Sequence, residues 1–224
     1  PSNPHGSVAS LDYLKEAILL ARKYNFILAV DECYCDIFRM NRPKPPGALE
    51  AAASLGKGLD KLIIFNSLSK RSNASGMRAG FIAGDKNVIE SYKLLVSNGA
   101  SPVPIPIQKV AASLYADEEH HTKACIHYDK NFSIVEKYLK PFYKDFKLPD
   151  AGFFLWLKVR DDQQAAKILW NKFSLRVMPG SFMGINVQGF NPGKGFLRIS
   201  LVDNKEVIEE AMKRIQLFLQ SEIS

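Results

Sequence analysis

Two short apolar runs rich in β-branched residues, "FILAV" (26–30) and "KLIIF" (61–65), constrain the fold most, because each ends abruptly on polar residues. Runs of four to eight such residues read as buried strands. Ahead of the first lies "SLDYLKEAILLARKYN", with Leu11, Leu14, Ile18 and Ala21 at helical spacing and Ser10 placed as an N-cap. A Pro/Gly-rich segment, "NRPKPPGALEAAASLGKG", leads to the second run, and a third apolar run, "GFIAG" (80–84), follows soon after. Helices alternating with strands are the order of a mainly parallel α/β sheet. The ends of its strands would then carry Asp31 and the stretch "NSLSKRSNASGMRAG".

Downstream, "KNVIESYKLLVSN" reads as a helix and the three alternating prolines of "SPVPIPIQ" as extended chain ahead of another helix. Residues from about 117 to 140 form one long helix ending near Pro141, in which "EEHHTKACIHYDKN" is a polar face. The pattern then changes. "FFLWLKV", "LRVMPG" and "GFLRISLV" are short strands, mixed with the helices "DDQQAAKILWNKF" and "NKEVIEEAMKRIQLFL". The expected organisation is a large α/β domain over residues 1–135 and a small α+β domain over 136–224, joined through the long helix.

Charge and cysteine usage narrow the function. Thirty Lys plus Arg stand against 23 Asp plus Glu, a net charge of +7 over 224 residues. The basic residues are interleaved with acids, as in "VEKYLKPFYKDFK", with no basic-aromatic repeat for base stacking, so nucleic acid is not an expected partner. Cys33, Cys35 and Cys125 form no disulfide framework and, with the histidines nearby, no zinc spacing, so no metal is expected. No apolar run approaches the roughly 20 residues of a membrane span, and no signal peptide is visible. The expected location is cytoplasmic.

The chemistry concentrates at four points: Asn3 in "SNPHG", Asp31 and Tyr34 in "DECY", Ser67, Lys70 and Arg78 in "SLSKRSNASGMR", and Arg198 in "FLRISL". Separately each has an ordinary reading, as a turn, a strand-end cap or a surface cation. Ligands of open α/β sheets bind at the carboxyl ends of the strands, where two hydroxyls, a lysine and an arginine make an anion site with an amine inside it. Together the four points supply what pyridoxal phosphate requires. A lysine amine forms a Schiff base, a carboxylate keeps the ring nitrogen protonated, and a tyrosine and an amide reach the ring hydroxyl. Serine and arginine neutralise the phosphate, and a second arginine takes the substrate carboxylate.

In these motifs the chain resembles the fold-type I aminotransferases of class I/II, the aspartate aminotransferase group. "NPHG" matches the family's NP-x-G, with His5 where threonine is usual; "DECY" matches D-x-x-Y, "SLSKRSNASGMRAG" matches S-x-[SG]-K-x7-R-x-G, and "RIS" matches R-[IL]-S. The resemblance implies Lys70 as the Schiff-base lysine. It implies cofactor contacts from Asn3, Asp31, Tyr34, Ser67 and Arg78, and substrate binding by Asn3 and Arg198. It also implies small amino and keto acids as substrates and a homodimer for the complete enzyme.

Within that family the stretch from "PPGALEAAASLGKG" to "MRAGFIAGD" most resembles the succinyldiaminopimelate transaminases, which move an amino group from glutamate to N-succinyl-2-amino-6-ketopimelate. An aspartate or other amino-acid aminotransferase, a C–S β-lyase or decarboxylase of the same fold, and a non-catalytic relative are the alternatives. Family members carry a further amino-terminal part with a phosphate-binding glycine loop and a ring-stacking aromatic residue. The 224-residue chain is therefore expected to be an incomplete piece, inactive alone, that holds the cofactor weakly or not at all.

Overall fold

A computed structural model describes residues 1–56, 58–99 and 102–223. Lys57 of the Pro/Gly-rich segment and Ser101 at the head of the proline stretch lie outside the described residues. The chain divides into two compact units, one of Pro1 and Val8–Ala124, the other of Ser2–Ser7 and Cys125–Ser224.

The first unit holds α1 (Leu11–Lys23), β1 (Leu28–Asp31), α2 (Ala48–Ser54), β2 (Leu62–Ser67), the one-turn α3 (Leu68–Arg71), β3 (Gly80–Gly84), α4 (Lys86–Gly99) and α5 (Ile105–Ala116). The next helix, α6 (Glu119–Leu139), contains the division between units, upstream of the 135/136 boundary expected from sequence. Ser10 caps α1 by accepting the Tyr13 N–H (3.1 Å), and Leu14, Ile18 and Ala21 face inward at the anticipated spacing. Leu14 and Ile18 pack with Ala48, Ala51 and Ala52 of α2 against Leu62 and Ile64 of β2. Burying each large aliphatic side chain stabilises by about 1.5–3 kcal/mol.

β2 is the central strand, parallel to β1 and antiparallel to β3. The third strand thus departs from the expected parallel order. Its connection from β2, Leu68–Ala79, holds only α3 and a single 3-10 turn (Ser75–Met77), and it returns the chain beside its point of exit. Parallel neighbours need a longer crossover, usually a full helix. The antiparallel return sets Ser67, the last residue of β2, opposite Gly80, the first of β3. A Cβ at Gly80 would stand 2.2 Å from the Asn66 carbonyl oxygen, so only glycine allows that approach.

"FILAV" is less buried than its composition predicts. Phe26 and Ile27 are 46% and 42% exposed, and β1 alternates half-buried and exposed residues at the edge of the sheet. The proline stretch also differs: α5 begins inside it at Ile105, with Pro106 in the first turn, where its missing N–H has no helical partner to lose. Nor is the start of α6 simply polar, since His121, Cys125 and Tyr128 are buried at helical spacing.

The second unit holds the end of α6, then β4 (Phe154–Lys158), α7 (Asp162–Phe173), β5 (Met178–Pro179), β6 (Phe196–Ser200) and α8 (Lys205–Ile223). Its sheet runs β4-β6-β5, all antiparallel. Leu155, Leu157, Leu197 and Ile199 form its inner face, packed by Ala165 and Leu169 of α7, Ile208, Met212 and Ile215 of α8, and Phe132, Val135 and Leu139 of α6. The alternation puts Arg198, between Leu197 and Ile199, on the opposite face. Asp161 caps α7 through Gln164 N–H (3.0 Å), and the buried Asp162 carboxylate accepts from Ser181 N–H (2.8 Å) and Gly195 N–H (3.1 Å).

Candidate active site

In the first unit, β1 delivers Asp31 to its carboxyl end, where Oδ1 accepts the Cys33 N–H at 2.9 Å and shapes the turn carrying Tyr34. Beside it, β2 ends at Ser67, which caps α3: its Oγ accepts the Ser69 N–H (3.1 Å) and donates to Ser69 Oγ (2.8 Å). Lys70 follows within that single turn, its Nζ 5.8 Å from the centroid of the Tyr34 ring. Arg78 enters β3 from a left-handed backbone (φ 51°), with its guanidinium donating to the Ser75 carbonyl at 2.9 Å. Ser67, Ser69 and Arg78 line one cavity with Asn66, Gly80 and Phe81. Five of the seven residues singled out from sequence therefore stand at the same end of the β1–β2 pair. Two hydroxyls and a guanidinium around a cavity, one residue along from a lysine amine, match the donor set a phosphorylated aldehyde needs.

The thiols here are inert. Burial, reinforced by the Asp31 hydrogen bond, pushes Cys33 up to about 12, while the Lys70 charge acts in the opposite sense. Burial with the Asp36 and Glu32 charges takes Cys35 up to about 12 as well. Both raised values disfavour the thiolate, the nucleophilic form. Among the described residues no cluster of His, Cys, Asp and Glu is arranged to hold a metal.

The other two residues, Asn3 and Arg198, meet in the second unit. "NPHG" is a turn, closed by Gly6 N–H to the Ser2 carbonyl (2.7 Å) and pinned by Ala151 N–H to the Gly6 carbonyl (2.9 Å). Arg198 donates from a terminal nitrogen to Asn3 Oδ1 (3.1 Å), and its guanidinium carbon lies 4.6 Å over the Phe154 ring. The Arg198 Nε is buried without a hydrogen-bond partner. A buried guanidinium N–H without an acceptor carries a desolvation cost. His5, the departure from the usual threonine, stands edge-on to Trp156 with centroids 5.6 Å apart.

Sequence reading missed Arg71, Asn66 and Tyr115. Arg71 is only 4% exposed and is ion-paired to Asp36 (3.2 Å) and Glu118 (2.7 Å). The Tyr115 hydroxyl donates to Asn66 Oδ1 at 3.0 Å. Their one sequence signal is the chain position of Arg71 and Asn66, on either side of the "SLSK" motif.

The family profile described as Aminotransferase class I and II matches residues 1–215. The chain belongs to that aminotransferase family. Among solved structures, an aminotransferase from Neisseria meningitidis Z2491 superposes with a TM-score of 0.90 at 41% identity, covering 97% of this chain and 56% of that one. The probable N-succinyldiaminopimelate aminotransferase of Thermus thermophilus gives a TM-score of 0.83 at 27% identity, over 97% of this chain and 56% of its own. A curated relative, LL-diaminopimelate aminotransferase 2 of Nostoc sp., is 29% identical over 220 residues, 96% of this chain and 54% of that protein. This aminotransferase chain spans about half the length of the curated relatives it matches. None of its described helices is long and apolar enough to cross a membrane.

Proposed function

We propose that the full-length protein is a pyridoxal-phosphate-dependent aminotransferase that moves the amino group of glutamate to N-succinyl-2-amino-6-ketopimelate, toward diaminopimelate and lysine. We place it in the cytoplasm, as a homodimer. The observation that supports pyridoxal-phosphate dependence is the cavity lined by Ser67, Ser69 and Arg78, with Lys70 the next residue in the chain after Ser69.

When bound, the cofactor supplies an aldehyde for amines and an electron-accepting ring that makes the substrate α-proton acidic. The residues divide the rest. Ser67, Ser69 and Arg78 hold the phosphate, the arginine by paired charge-assisted hydrogen bonds. Asp31 would pair with the ring nitrogen, and Tyr34 and Asn3 would donate to the ring oxygen. Lys70 Nζ would be the amine that binds the aldehyde and the chain's own group for carrying a proton at the substrate. Arg198, hydrogen-bonded to Asn3, would bind the substrate carboxylate and so orient the substrate.

A second reading, favoured by the names of the curated relatives, takes LL-diaminopimelate itself as amino donor. One assay separates the possibilities. Full-length protein with glutamate should form 2-oxoglutarate fastest, by kcat/KM, with the succinylated acceptor. A clear advantage for LL-diaminopimelate as donor selects the second reading, and one for oxaloacetate returns the protein to the aspartate group. Keto-acid release without any acceptor would point to β-lyase chemistry.

A further inference from the structure

The helix that carries Lys70 is a single turn of four residues, too short to hold its own orientation. Its neighbours hold it instead. Arg71 puts one terminal nitrogen on Asp36 Oδ2 (3.2 Å) and the other on Glu118 Oε1 (2.7 Å) and the carbonyls of Tyr115 and Asp117 (both 3.3 Å). On the following residue, Ser72 Oγ is bonded to His120 Nε2 (2.9 Å), whose Nδ1 is bonded to Asp117 Oδ2 (2.9 Å). On the preceding side, Tyr115 donates its hydroxyl to Asn66 Oδ1 (3.0 Å). One segment, residues 115–121, therefore grips the Lys70 turn before, within and after it.

Asp36 closes the circuit. It lies two residues beyond Tyr34, its carboxylate pairs with Arg71, and its carbonyl is bonded to His121 Nε2. The loop holding Asp31 and Tyr34 and the turn holding Lys70 are thus tied through the same buried guanidinium. The Arg71 hydrogen bond also holds the Glu118 carboxyl below its usual range.

We propose that Arg71, Asp36 and Glu118 are positioning residues that set where Lys70 Nζ stands relative to Asp31 and Tyr34. The proposal rests on the reading of Lys70 as the cofactor lysine. A lysine that must first hold an aldehyde carbon and then move a proton works only within a narrow geometry. Displacement by about 1 Å can slow such a step on the order of a hundredfold. A mere structural staple would leave that step intact in any molecule that remains folded.

The test uses full-length protein, pyridoxal phosphate as the probe, and a temperature at which each variant stays folded. Borohydride trapping and peptide mass on the unmutated protein come first, with the label expected on Lys70. Glu118→Gln and Arg71→Gln are then expected to lower kcat at least about tenfold, with KM for glutamate within about twofold, and to move the visible absorption maximum of the bound probe. Arg71→Lys should recover part of kcat, and Arg214→Gln, which removes an exposed helix pair with Glu210 elsewhere, should change neither quantity. Should Arg71→Gln not fold, Glu118→Gln decides, because that side chain is 66% exposed and its loss leaves the Asp36 pair in place. Unchanged kcat and absorption with only a lowered Tm would overturn the positioning role. A wild-type label absent from Lys70 would overturn the underlying reading, and the proposal with it, before any variant is made.

Discussion

Arg198 and Asn3, 195 positions apart in the chain, are joined by a hydrogen bond of 3.1 Å from guanidinium to side-chain amide oxygen. The guanidinium carbon lies 4.6 Å over the Phe154 ring while the buried Nε has no hydrogen-bond partner, so one edge of the group is engaged and Nε is left without an acceptor. If a substrate carboxylate is that acceptor, Arg198→Ala should raise KM about ten- to a hundredfold for every amino and keto acid, with a smaller fall in kcat. Steady-state kinetics with glutamate and one keto acceptor check this. Unchanged KM for both would move the carboxylate site elsewhere.

Gly6 governs the same pair through the backbone. Its φ is +67°, and a Cβ there would stand 2.4 Å from the Ala151 carbonyl oxygen and 2.5 Å from Pro149 Cβ. Gly6→Ala combines a left-handed penalty with overpacking and should destabilise by about 2–4 kcal/mol. It should also raise KM, because the turn that presents Asn3 must shift. Denaturant unfolding and kinetics on the same preparation test both halves.

Acid stability should depend on Asp85. This buried carboxylate accepts the N–H groups of Lys61 (2.9 Å) and Asn87 (2.8 Å), and the Lys61 bond is the leading cause that holds its carboxyl below the ordinary range. A depressed folded value means that its contribution is complete above the unfolded carboxylate pKa of about 3.9 and is lost as pH falls through the folded value. Asp85→Asn should cost about 1 kcal/mol at pH 7 and flatten the fall in stability below about pH 4. Urea midpoints across that range would show a parallel, merely displaced curve if Asp85 were not responsible.

Much of this was legible in the sequence, for identifiable reasons. Ser10, Leu14, Ile18 and Ala21 announced α1 because capping and helical spacing are local signals. The grouping of Asp31, Tyr34, Ser67, Lys70 and Arg78 followed from chemistry placed at strand ends. The direction of β3 was not legible: an apolar run carries no arrow, and the direction came from a short connection whose course depends on packing. "FILAV" is more exposed than its composition alone suggests because β1 is an edge strand of the described sheet. His121 is the opposite case. It is polar by type, yet it is buried, with its Nε2 bonded to the Asp36 carbonyl, a partner 85 positions away that no local pattern reveals. Arg71 belongs to the same class, a cation whose two carboxylates are distant in sequence.

The most direct measurement is the fate of Lys70. Pyridoxal phosphate added to full-length protein should produce a visible absorption band, and borohydride should fix the label on the peptide containing Lys70. In Lys70→Ala both the band and the label should disappear while the unfolding midpoint stays within a few degrees, since the change removes a half-buried side chain of the one-turn α3 and not one from the core. An unchanged band, or a label on another lysine in the wild-type protein, would contradict the assignment.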